Sequence, residues 1–160
     1  MDKSKSKDSK SFAAALRILT RRDRSETELR QKLVQFGFSL PAIDTAIEKC
    51  RDYNYLDDRR YAVERARALM RSGRGVGPRI MVDLRRRGIN ENIAQQAVET
   101  AASEFPAEDI LRQQLTRRFP TFNYDTADAR ERRRVVSFFQ RRGFGLDEIF
   151  QVIKEHNHIP

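Results

Sequence analysis

The sequence predicts an all-α protein, an elongated, curved array of three tandem three-helix repeats. Three observations predict it. Apolar residues recur at three-to-four spacing from Phe12 onward rather than alternating, as on the buried face of a helix. Gly37, Gly88 and Gly143 each follow such a run and precede Phe38, Ile89 or Phe144, the pattern of a left-handed C-cap with an apolar anchor. Aligned on these glycines, the chain matches itself at intervals of 51 and then 55 residues, long enough for three short helices per copy.

The match extends well beyond glycine. Leu33, Leu84 and Phe139 stand four positions before it, and Leu29, Ile80 and Val135 eight before, one turn apart on a helix face. Ile43, Ala94 and Ile149 stand six after it, Ala46, Ala97 and Val152 nine after, and Ile47, Val98 and Ile153 ten after. Six shared apolar positions in three copies are not a chance pattern.

Residues 1–11 carry Lys, Ser and Asp with Met1 as the one large apolar side chain, so they are expected to form a disordered basic tail. The first repeat, 12–54, opens with a leading helix over Phe12–Thr20. Ser25 and Glu28 form an S-x-x-E capping box at the start of its middle helix, which Gly37 ends, and Ile43, Ala46, Ile47 and Cys50 mark the third. The second repeat, 55–104, has Asp57 to cap a leading helix over Asp58–Arg71. Its loop Ser72–Pro78 places Pro78 near the first position of the middle helix, and Asn90 precedes the last. The third, 105–160, begins with a helix over Ala107–Arg118. Phe119, Phe122 and Tyr124 follow in a long connection and are expected to pack beneath it. Val135–Phe139 is the best strand candidate, yet it lies in an arginine-rich stretch with no turn signal beside it and fits a helix ending at Gly143. Each trio has a small core, so neighbouring trios are expected to stack.

Composition narrows the function. The 160 residues carry 32 Lys+Arg against 23 Asp+Glu, a formal charge of +9, with 39% hydrophobic residues, too many for a wholly disordered chain. No apolar run is long enough to span a membrane or to serve as a signal peptide, so a cytoplasmic protein with no membrane partner is expected. Cys50 is the only cysteine, which excludes an intramolecular disulfide and multi-cysteine metal sites. Of the cations 25 are arginine, and four of the seven lysines lie in the first ten residues. Arginine's planar fork of donors suits phosphate and carboxylate, which favours an anionic partner.

The arginines fall at corresponding places. Arg79, Arg86 and Arg87 stand nine, two and one positions before Gly88, and Arg134, Arg141 and Arg142 occupy the same places before Gly143, where the first repeat has Glu28, Gln35 and Phe36. Arg130, Arg134, Ser137 and Arg141 share one helix face. Arginines just before the glycine can simply complement the negative end of a helix. Arg130, Arg132, Arg133 and Arg134 cannot, because they lie in the first half of theirs, where the dipole favours acids. The candidate anion-facing set is Arg79, Arg86, Arg87, Arg130, Arg133, Arg134, Arg141 and Arg142.

Other constellations carry no chemistry. Ser72–Pro78 is glycine-rich but lacks the G-x-x-x-x-G-K order of a phosphate loop. Asp57 and Asp58 are adjacent at a helix start, where capping is the expected role. His156 and His158 lie at the C-terminus with no evident carboxylate or cysteine partner. No cofactor, metal or catalytic residue is expected, and the chain reads as a non-enzyme.

Two stretches, ILTRRDRSETELRQKL (Ile18–Leu33) and YLDDRRYA (Tyr55–Ala62) followed by GVGPRIMVDLRRRGI (Gly75–Ile89), resemble the bacterial regulatory RecX family. The resemblance covers Phe12–Val98, and the third repeat keeps the helical pattern and the turn Arg141–Phe144. Asn54 stands where the family usually has glycine, and Asn is the next-best residue for a left-handed turn. The resemblance implies a non-enzymatic modulator that binds the RecA filament on DNA and inhibits its extension, ATP hydrolysis and strand exchange. With it goes the expectation of a monomer whose arginine set faces the filament, touching single- or double-stranded DNA weakly and non-specifically through phosphates. The alternative reading is a sequence-specific helix-turn-helix DNA-binding protein. Against it, the last helices, Ala42–Lys49 and Asn92–Thr100, are mixed or acidic, unlike a base-reading surface.

Overall fold

The computed structural model describes residues 2–156, with side chains from residue 5 onward. Among the described residues there are nine α-helices and no strand: α1 (Asp2–Arg21), α2 (Glu26–Gln35), α3 (Leu40–Asp52), α4 (Asp58–Arg71), α5 (Gly77–Arg86), α6 (Glu91–Glu104), α7 (Ala107–Arg118), α8 (Ala129–Gln140) and α9 (Leu146–Glu155). They form tandem trios, as the glycine alignment predicts. The aligned positions before and well after the glycine are buried in every copy, including Leu29, Ile80 and Val135 and likewise Leu33, Leu84 and Phe139, while of the anchors Ile89 and Phe144 are buried and Phe38 half-buried.

The local chemistry that starts and ends the helices is the chemistry read from the residues. Ser25 caps α2 through a complete capping box with Glu28. Asp57 Oδ1 accepts from the Arg59 and Arg60 N–H groups at the start of α4, and Asn90 Oδ1 accepts from Asn92 N–H at the start of α6. Pro78 is the second residue of α5, and Val135–Phe139 lies within α8. Each middle helix ends in a Schellman motif: Phe38, Ile89 and Phe144 N–H groups donate to the Leu33, Leu84 and Phe139 carbonyls at 3.3, 3.1 and 3.3 Å. The glycines between have φ of 84°, 77° and 98°, a conformation that penalises any Cβ. Asn54 closes α3 the same way at φ 58°, with Tyr55 N–H donating to the Cys50 carbonyl at 2.8 Å.

One expectation needs correction. Residues 1–11 are not a disordered tail in the described part: α1 runs back to Asp2, while Met1 lies outside the described residues. Ser11 is fully buried, and its hydroxyl donates to the Ala42 carbonyl of α3 at 2.9 Å. A helix nucleated by the packed segment from Ser11 onward propagates back through Lys and Ser at small cost per residue, which a compositional reading misses.

The chain divides into two compact units, 1–62 with 84–94, and 63–83 with 95–160. The first has a core of Ala14, Ala15 and Ile18 from α1, Leu29 and Leu33 from α2, and Ile43, Ala46, Ile47 and Cys50 from α3, closed by Leu56. The second buries Ile110, Leu111 and Leu115 of α7, Val135 and Phe139 of α8 and Ile149, Val152 and Ile153 of α9. Phe139 lies edge-on to Phe144 and to Phe138, with ring centroids 5.6 and 5.1 Å away.

Space around the glycines separates their roles. A Cβ on Gly37 would meet nothing within 4 Å, whereas one on Gly143 would stand 2.3 Å from the Val76 carbonyl oxygen. Gly37→Ala is expected to lose about 1–2 kcal/mol for backbone conformation alone. Gly143→Ala should lose roughly 1–3 kcal/mol more for the clash. Urea unfolding followed by far-UV circular dichroism checks this, and equal losses at the two positions would contradict it.

Candidate anion-binding surface

Many arginines are engaged in holding helices together. Arg30 of α2 pairs with Asp44 of α3 at 2.6 Å, Arg67 of α4 with Glu104 of α6 at 2.6 Å, and Arg112 of α7 with Glu155 of α9 at 2.6 Å. Arg65 makes a two-pronged bond to Asp83, at 2.8 and 3.1 Å. Such exposed or half-exposed pairs contribute little each, but they identify guanidinium groups that are not available to a ligand.

Of the eight arginines singled out in the sequence, Arg86 and Arg87 belong to the first unit. Arg86 is exposed. Arg87 is half-buried, with Nη1 donating to Glu28 Oε1 at 2.7 Å and to the Tyr61 hydroxyl at 3.2 Å. Its carbonyl accepts the Ser25 hydroxyl at 2.6 Å, and Gly88 lies so close to Thr27 that a Cβ would stand 2.1 Å from its hydroxyl. Arg87 thus clamps the turn after α5 onto the start of α2.

The other six lie in the second unit. There the turn after α8 meets the start of α5: Val76 N–H donates to the Arg142 carbonyl at 2.8 Å, and a Cβ on Gly143 would stand 3.1 Å from Arg79 Cβ. This contact brings Arg79 to Arg141 and Arg142 although some sixty residues separate them in the chain. Arg118, at the end of α7, joins them. Arg118 and Arg141 are near enough to Arg142 that their charges add to its burial in holding the Arg142 pKa below the usual arginine value. It remains a cation at neutral pH.

Arg142 is the inner member of this cluster. Its guanidinium carbon lies 3.6 Å from the Phe138 ring centroid, and Nη1 donates to the Phe138 carbonyl at 3.2 Å. Its Nε is buried and has no hydrogen-bond partner. Arg79, Arg118 and Arg141 are exposed. From Arg141 the surface continues back along α8 through Arg134 to Arg130, which at 100° per residue share one face over roughly 16 Å, with Arg133 beside it. Arg134 lies 5.9 Å from the Phe119 ring centroid. Arg130, Arg133 and Arg141 have no carboxylate partner among the described residues.

Arg132 points elsewhere: it donates to the Tyr124 carbonyl at 3.0 Å and stacks over the Tyr124 ring at 4.5 Å. The aromatics of the α7–α8 connection pack as expected, Phe122 buried and Phe119 edge-on to Phe138. Sequence reasoning missed Arg118, because nothing local tells that α7 ends beside the end of α8. Asp58 also gains a role beyond its helix, its Oδ1 accepting from Glu26 N–H at 2.9 Å, while burial raises its pKa. Among the described residues no group of His, Cys, Asp and Glu could hold a metal, and no helix is long and apolar enough to cross a membrane. His158 lies outside the described residues.

Such a surface has the charge and forked donors that phosphate or carboxylate requires, and counterions released from phosphates would make binding fall with salt. Reversing two of its charges in Arg134→Glu with Arg141→Glu should weaken binding to a single-stranded oligonucleotide at low salt. It should also flatten the log–log salt dependence by about 2, roughly one for each phosphate-binding arginine replaced. Unchanged affinity with intact helical circular dichroism would contradict this.

Comparison with known proteins gives a consistent picture. Residues 12–50 match the family model described as RecX, first three-helix domain, and residues 107–153 that of RecX, third three-helix domain. The regulatory protein RecX of Syntrophotalea carbinolica is 46% identical over 144 residues, covering 90% of this chain and 94% of the relative. That of Trichlorobacter lovleyi is 35% identical over the same coverage. The crystal structure of RecX from Lactobacillus salivarius superposes with a TM-score of 0.77 over 96% of this chain and 99% of that one; at 24% identity this likeness shows the fold.

Proposed function

We propose, for a chain that belongs to the RecX family of regulatory proteins, that it acts on the RecA nucleoprotein filament without catalysing a reaction. In this reading it binds the filament and inhibits extension, ATP hydrolysis and strand exchange, and so modulates recombination and DNA repair. The observation that carries the reading is the clustered arginine surface of α8 with Arg79 and Arg118. It offers unpaired cations in a row, as a partner displaying phosphates or carboxylates along its length requires.

The rival, a base-reading helix-turn-helix protein, finds less support. The exposed residues of α3 include Asp44 and Glu48, and those of α6 include Glu91, Gln95 and Glu99. Acidic groups on the helix that would enter a groove repel the phosphates flanking it. The unpaired arginines on α8 fit backbone or protein contact, which positions without reading sequence.

Titration of the protein into preformed RecA filaments on DNA, with ATP hydrolysis followed throughout, tests the proposal. Hydrolysis should fall as protein is added. Loss well below one copy per RecA subunit marks capping of a filament end, and loss near one-to-one marks binding along the filament. Hydrolysis that stays constant at saturating protein would contradict the proposal.

A further inference from the structure

Two of the three glycine turns are occupied in the same way. The Arg87 carbonyl accepts the Ser25 hydroxyl at 2.6 Å, and the Arg142 carbonyl accepts Val76 N–H at 2.8 Å. Ser25 and Val76 stand at one place in their trios, twelve positions before Gly37 and Gly88. The turn of each later trio therefore sits on the start of the middle helix of the trio before it.

Among the described residues, no middle-helix start sits on the turn after α2 in this way. The Phe36 carbonyl, equivalent to those of Arg87 and Arg142, has no hydrogen-bond partner among the described residues. The Phe36 side chain is 60% exposed where the later trios hold an anchored arginine. With Ala14, Arg17, Ile18 and Arg21 it lines a groove of about 300 Å³ whose floor, Ala14 and Ile18, is buried. Arg17 and Arg21 are exposed at its rim and have no carboxylate partner among the described residues.

We propose that the Gly37 turn and this groove dock the N-terminal turn of a helix on a partner protein. The occupant's cap hydroxyl or first amide donates to the Phe36 carbonyl, an apolar side chain lies against Phe36 and Ile18, and first-turn carboxylates pair with Arg17 and Arg21. The chain supplies the precedent: the Arg87 turn takes a cap serine and a first-turn glutamate, Ser25 and Glu28, in the same manner. Acidic residues are also what a helix N-terminus favours. A second copy is a poorer match, because the start of its α8 sets the acids Asp128 and Glu131 among Arg130, Arg132 and Arg133, a net positive charge against Arg17 and Arg21. Nucleic acid is poorer too, since a phosphate would meet a carbonyl acceptor and an apolar floor where it needs donors.

The inference rests on the filament reading and adds that this end grips protein subunits rather than DNA. Its test measures binding of the full chain to DNA-free RecA, with an oligonucleotide as the parallel probe and sedimentation velocity for self-association. Phe36→Glu, and separately Arg17→Glu with Arg21→Glu, should each weaken binding to RecA about tenfold or more. Phe36→Glu should leave oligonucleotide affinity unchanged. Losses within about twofold for both variants overturn the inference, as does self-association of the wild type that Phe36→Glu abolishes. If the wild type inhibits ATP hydrolysis yet does not bind DNA-free RecA, the inference falls and the filament reading stands; if it does neither, both fall.

Discussion

A residue forced to positive φ at the end of a short helix sets most of what this protein can do. Gly37, Gly88 and Gly143 reverse the chain tightly enough for the next residue to return to the core as Phe38, Ile89 or Phe144. The same reversal turns a main-chain carbonyl outward. In two of three cases a preceding trio reaches that carbonyl, through Ser25 or Val76, and the missing Cβ is what allows the approach. A ten-residue helix is marginal in water on its own, so packing has to hold each trio, and the glycine contact adds one satisfied polar group where chain segments meet.

The proposed function follows from where that contact puts charge. Docking the turn after α8 on the start of α5 gathers Arg79, Arg141 and Arg142, and α7 brings Arg118 to the same place. Like charges at close range cost energy unless solvent, aromatic faces or a counter-anion offset it. Phe138 supplies a face for Arg142, and solvent reaches the others. The buried, unpartnered Nε of Arg142 shows that the protein leaves this charge incompletely compensated. Arg30, Arg65, Arg67 and Arg112, by contrast, are each answered by Asp or Glu.

The trios themselves were legible because they are written in local periodicity: buried residues at fixed distances from a glycine survive three copies of drift. The leading helices over Asp58–Arg71 and Ala107–Arg118 have the bounds read from the sequence, the first capped by Asp57 and the second opening on the acids Glu108 and Asp109 and closing on Arg117 and Arg118. Pairings between residues far apart in sequence were not legible. Arg87 aligns with Arg142 and reads as a surface cation, yet Glu28, nearly sixty residues earlier, holds it. Arg118 carried no signal, since its neighbours come from another helix end. Ser11 read as part of a polar tail because composition cannot register one hydroxyl buried against the Ala42 carbonyl.

The trio architecture and the arginine cluster both depend on the turn of one trio being bonded to the start of the previous trio's middle helix, and one amide reports it directly. Val76 N–H lies in the loop before α5, outside any helix, with the Arg142 carbonyl as its acceptor. Native-state hydrogen exchange of that amide should be slow, comparable with the Ile89 amide inside its own Schellman motif. Exchange at the rate of an unstructured loop would mean that the turn is not docked, and that Arg79, Arg141 and Arg142 are not held together.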